Sequence, residues 1–108
     1  MERFTGLPRE LVLGFEVPVA TSRRARLLGL AHLDRGRAPE GLLIPRCRSV
    51  HTFGMRFALD LVFLDGAGEV VAIRPGVGPR RLVRCSAASG VLELPSPLQG
   101  VDAVGGRG

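Results

Sequence analysis

The sequence predicts a β-dominated single domain, and three observations lead there. Fifteen glycines and eight prolines among 108 residues force frequent turns and short elements. Apolar residues run in short, strand-length segments bounded by Gly, Pro, Asp or Ser, most clearly in Phe57–Asp65. A chain of 108 residues supports one hydrophobic core, so residues 1–108 are read as one domain.

Taken in order, residues 10–19 (ELVLGFEVPV) form the first expected strand, with Val17 and Val19 alternating against Glu16 and Pro18. One short helix is predicted near residues 22–28. Thr21 and Ser22 offer N-caps, RRARLL follows, and Gly29 can supply the left-handed stop. Residues 33–41 (LDRGRAPEG) read as polar loop, and Gly41–Ile44 opens a second apolar run ended by Pro45. Phe57–Asp65 (FALDLVFLD) is apolar on both alternating faces, which marks a central strand covered on two sides. Asp65–Gly68 has hairpin-turn chemistry, and Glu69–Ile73 is expected to return antiparallel. Pro75–Pro79 (PGVGP) reads as a turn, Arg81–Cys85 as a strand, Ala87–Gly90 as a turn and Val91–Leu94 as a closing strand. Residues from Pro95 read as loop, with a frayed tail at Gly105–Gly108.

Composition narrows the function classes. Apolar residues make up 45% and charged residues 23%, as in a globular chain. No apolar stretch approaches the roughly 20 residues of a membrane helix. Glu2 at the start, and Glu16 and Pro18 within Leu11–Ala20, do not fit a signal peptide. The expected address is the cytoplasm, without membrane insertion. A net charge of +5 and a pI near 11.2 suggest nucleic acid at first sight. Yet all 15 basic residues are Arg, and Asn, Trp and Tyr are absent, the mark of G+C-rich coding. With five Phe as the only aromatics there is little to stack on bases, so the arginines read as a solvated surface rather than a nucleic-acid interface.

Cys47 and Cys85 are expected to be free thiols, since a lasting disulfide is uncommon in the cytoplasm. Arg46, Arg48 and Arg84 adjoin them, and cations favour a reactive thiolate. Cys47 and His51 are four apart, which on a continuous strand places them on one face. Such a pair could be a nucleophile with its base, or two of the four ligands zinc prefers. Only His32, Cys85 and a few carboxylates remain to complete a zinc site, so no metal and no cofactor is expected. Phosphate-loop, zinc-protease and serine-hydrolase motifs are all missing.

Asp60 interrupts an apolar strand, and a carboxylate there is costly unless paired or hydrogen-bonded. It is either a structural acid tied to an Arg or to backbone amides, or the floor of a pocket rimmed by His51 and Thr52. Glu93, within Val91–Leu94, raises the same question, or as the polar member of an edge strand simply faces water. Arg23 and Arg26 on the helix are solvated, or one of them is the cation for Asp60. Met55 reads as core filler.

These residues carry a resemblance. The stretch Arg26–Ile73 resembles the DUF192 family of bacterial and archaeal domains, in a fixed order of features. Arg26–Leu30 matches its helix running into Gly-Leu, and Gly41–Ile44 its Gly-Leu-Leu step. Cys47, Val50–Thr52, Met55, Asp60 and Phe63–Asp65 follow in the family's order, and Val91–Pro95 is similar to its closing strand. The likeness spans about residues 10–95. Beyond it, Ser96–Asp102 is shorter than the family's usual segment and splits its Gly-Asp pair, around an expected last strand at Val101–Val104. The resemblance implies an antiparallel β-sandwich or barrel-like domain with jelly-roll character, and no reaction.

The expected function is a non-catalytic binding or accessory module for a small polar ligand or peptide. Its candidate residues are His51, Thr52, Asp60, Arg23, Arg26, Cys47 and Glu93. The alternative is a small hydrolase or lyase using Asp60 or Cys47 with His51. A homodimer could form by pairing of the Val91–Leu94 edge.

Overall fold

The computed structural model describes residues 3–97, so the expected strand at Val101–Val104 and the tail at Gly105–Gly108 lie outside the described residues. The chain is mainly β. Eight strands form antiparallel sheets around one short α-helix, and no closed barrel forms among the described residues. The strands are β1 (Arg9–Val12), β2 (Phe15–Pro18), β3 (Leu42–Pro45), β4 (Ser49–His51), β5 (Leu59–Leu64), β6 (Val70–Val77), β7 (Leu82–Arg84) and β8 (Gly90–Pro95). The helix, α1, is Arg23–Leu28, and a single 3₁₀ turn covers Arg35–Arg37.

A four-stranded sheet in the order β3-β8-β5-β6 is the frame. Side chains alternate across β3, β8 and β5, as a pleated backbone requires, with register shifts where β6 pairs with β5. Leu42 and Ile44 of β3, Leu59, Leu61 and Phe63 of β5, and Val91 of β8 face one core, with Ala25, Leu30, Val50, Met55 and Phe57. Leu43, Val62, Leu64 and Leu92 face the other, with Val17 and Val19. The first core is covered by α1 and by the pair β4-β7; the second lies under the β1-β2 hairpin. β5 is thus buried on both sides, as its uninterrupted apolar run predicts, and Met55 is core.

The helix follows its sequence signals. The Ser22 hydroxyl accepts a hydrogen bond from the Ala25 amide at 3.0 Å, and the Gly29 amide closes the last turn on the Ala25 carbonyl, with Gly29 at positive φ but at ψ −126° rather than in the left-handed helical well. Arg3 donates to the carbonyls of Gly29 and Ala31, 2.7 and 2.8 Å away, and so ties down the backbone just past the helix. No helix among the described residues is long and apolar enough to cross a membrane.

Three expectations are corrected. Residues 10–19 are not one strand but the hairpin β1-β2, closed by Leu13 and Gly14 at φ 52° and 86°. Such a two-residue turn needs positive φ at both positions, and a leucine there hides the signal. The strand after the hairpin does not end at Ile73 to give a turn at 75–79. It continues as β6 to Val77, because Pro75 lies on the sheet's outermost strand, where its missing N–H costs no ladder bond. Lastly, Val91–Leu94 is no edge. β8 pairs with β3 on one side and β5 on the other, so it has no open side for a second copy, and Glu93 is buried rather than facing water.

Candidate functional site

Glu93 points to the α1 side of the sheet, where its cross-strand neighbours are Leu42 and Leu61. It is only 4% exposed, and its Oε1 is buried with no hydrogen-bond partner among the described residues. Burial raises its pKa to about 7 from an ordinary value of 4.5. A native structure seldom leaves such a group orphaned.

The carboxyl lies against the exit of α1. A Cβ added at Gly29 would sit 3.0 Å from Glu93 Oε1, and Gly29 has φ 54°, a conformation side-chain-bearing residues rarely adopt. Glycine here therefore both ends the helix and makes room for the acid. Beside it is a narrow slot of about 50 Å³, walled by Arg26, Gly29, Cys47, Ser49 and His51, with Glu93 as its one acidic side chain. A wider basin of about 630 Å³ adjoins it, lined by Arg26, Arg46, Cys47, Arg48, Ser49 and Ser89. Slot and basin share Arg26, Cys47 and Ser49 as walls.

Arg26 is held in place. Its guanidinium donates to the Pro45 and Arg46 carbonyls at 2.5 and 3.2 Å, bracing α1 against the end of β3. Arg46 itself has φ 51°, a strained value for a non-glycine residue. This kink ends β3, so Cys47 lies in the link before β4 and not on one continuous strand with His51, yet both line the slot. The Cys47 thiol donates to the Ser49 carbonyl at 3.2 Å. Burial, the strongest influence, pushes its pKa up; the Ser49 backbone pulls it down, Glu93 up and Arg26 down. Cys47 and Cys85 are both free.

Thr52, Asp60 and Arg23 lie apart from this slot. Thr52 is fully buried; its hydroxyl donates to the Gly78 carbonyl at 2.7 Å and accepts from the Arg81 amide at 2.8 Å, which fastens two loops. Asp60 is on the opposite face of the sheet. At a bulge between the pairs Leu61↔Arg74 and Leu59↔Val77, its carboxylate accepts from the Gly76 amide at 2.8 Å. Its partner is thus backbone rather than Arg23 or Arg26, and it lines a separate depression with Phe15, Arg35 and Leu94. Asp60, His51 and Thr52 do not converge. Arg23 is exposed on α1. His51 is exposed too, with its ring 5.7 Å from that of Phe53. Among the described residues no three His, Cys, Asp or Glu side chains come together as metal ligands. Sequence reasoning missed Gly29, Ser49, Arg46 and Arg48 as parts of one site; the basic pair around Cys47 was the available signal.

The fold and this crevice define a small antiparallel β domain with one buried acid between sheet and helix. The DUF192 family model, described as "Uncharacterized ACR", matches residues 8–99, and the chain belongs to that family. No curated protein sequence matches it significantly. Two solved structures are similar. One, a protein of unknown function from Novosphingobium aromaticivorans, is 17% identical with a TM-score of 0.59, over 83% of this chain and 69% of its own. The other, described as a proposed transcription regulator from Sinorhizobium meliloti, is 22% identical with a TM-score of 0.65, over 89% and 84%. At these identities the likeness is one of fold.

Proposed function

We propose that the chain is a non-catalytic binding module whose site is the slot over Glu93, and that a small polar ligand completes the hydrogen bonding of the buried carboxyl. The orphaned Glu93 Oε1 carries this reading. Leaving such an oxygen dry and unpaired costs about 1–3 kcal/mol, more when it is charged, and a ligand that donates to it recovers that loss. The slot's size favours a ligand head of a few heavy atoms over a peptide.

The catalytic alternative has weaker support. An attacking cysteine needs a lowered pKa, whereas Cys47 is raised by burial and its thiol donates to the Ser49 carbonyl. Asp60, the other proposed catalytic group, lies across the sheet from His51's slot and is engaged by the Gly76 amide.

A screen of small polar fragments by amide chemical-shift mapping tests the reading. Binders are expected to move the Gly29, Ser49, Val50 and Glu93 amides. A library of slot-sized donors that moves none of them would sink the proposal.

A further inference from the structure

The slot holds one buried acid and the basin beside it holds three arginines, with no acid among the basin's walls. The one ion pair among the described residues, Arg56 with Asp34, is elsewhere, so Arg26, Arg46 and Arg48 have no carboxylate partner there. Arg26 commits two N–H groups to carbonyls, which fixes its position while leaving further donors of its five. A simple anion drawn to the arginines would face Glu93 through the shared walls. A simple cation on Glu93 would face the arginines. A molecule carrying both charges satisfies both ends, and each end discriminates against a ligand with only one.

Resting on the reading that the slot binds a ligand, we propose that slot and basin form one site for a small amphoteric molecule. A primary ammonium sits on Glu93, and a carboxylate or phosphate a short aliphatic spacer away is held by Arg26, Arg46 and Arg48. The slot's volume of about 50 Å³ suits a small head such as an aminomethyl group. The shared walls Arg26, Cys47 and Ser49 place the two ends side by side, which calls for a short spacer.

The titratable and charged groups that share the slot with Glu93 are Arg26 from α1, Cys47 from the link after β3 and His51 from β4; its strand neighbours Leu42 and Leu61 are apolar. An ammonium seated on Glu93 displaces the acid's proton. With a pKa of about 7, the carboxyl is half protonated at neutral pH, and binding there releases about half a proton per ligand.

The test is titration of the isotope-labelled protein with γ-aminobutyrate and O-phosphoethanolamine, against propylamine, butyrate and inorganic phosphate. The two amphoteric probes are expected to shift the Gly29 and Ser49 amides and to bind about tenfold or more tightly than any single-charge probe. Their ranking tells carboxylate from phosphate. Affinity for γ-aminobutyrate should rise about tenfold from pH 6 to pH 8, following ionisation of the acid. Glu93→Gln should bring γ-aminobutyrate down to the level of butyrate. Arg46→Ala with Arg48→Ala, both on the exposed rim, should weaken it toward propylamine, with Arg26 left as the remaining cation. Single-charge probes binding at Gly29 as well as amphoteric ones would overturn the two-ended ligand and leave the slot as a binding site. Silence at Gly29 from every probe and from the fragment library would overturn both.

Discussion

Asp60 on β5 and Glu93 on β8 sit on neighbouring strands of one sheet, pointing to opposite faces into different surroundings. On the hairpin face, a bulge in β6 turns the Gly76 amide toward Asp60, and the carboxylate stays half-exposed with a partner. On the helix face, Glu93 is buried under α1 and its Oε1 meets no donor among the described residues. The first acid repairs a break in a ladder, so its polarity is structural. The second repairs nothing among the described residues, and on that difference the proposed ligand site rests.

The largest effect expected within this comparison comes from the packing that creates the helix face. Phe63 is fully buried in that core, and Phe63→Ala should cost about 3–5 kcal/mol in urea unfolding. A loss under about 1 kcal/mol would mean that this face is loosely packed and Glu93 wetter than described.

The next effect is the pH dependence of stability. Glu93 has a folded pKa of about 7, above its ordinary 4.5, so the folded state holds the proton more tightly. Stability contributed by this proton is present at low pH and is lost as pH rises between those two values, by at most about 3 kcal/mol. Melting curves at pH 5 and pH 8 should show the parent losing stability while Glu93→Gln stays nearly level. Parallel behaviour of the two proteins would place the titration elsewhere.

Asp60→Asn should have the smallest effect. The amide oxygen can still accept from Gly76, and only the charge assistance is lost, about 1 kcal/mol or less. A drop as large as that of Phe63→Ala would reverse the contrast between the two acids.

The β character, the helix with both its caps, the buried strand β5 and the Asp65–Gly68 hairpin were all legible, because each rests on local patterning. The site was legible only in part. Arg26, Cys47, His51 and Glu93 stand out as single residues, but their meeting depends on strand order. Nothing local says that β8 inserts between β3 and β5, and that insertion is what buries Glu93. Asp60 stands out for the same reason, as a charge in an apolar run; its face follows from the alternation of β5, whereas the amide that satisfies it comes from a bulge at Pro75 and Gly76, whose sequence reads as a turn.

That proline has a second effect. β6 ends the sheet, and Val70, Val71 and Ile73 leave its rim apolar and open to solvent. Such a rim can act as a template on which another chain stacks, strand upon strand, toward aggregates. With no N–H at Pro75 and a bulge beside it, an added strand finds its ladder interrupted partway along, where Arg74 also places a charge. A chain without a single lysine guards its sticky margin with an imino acid and a kink.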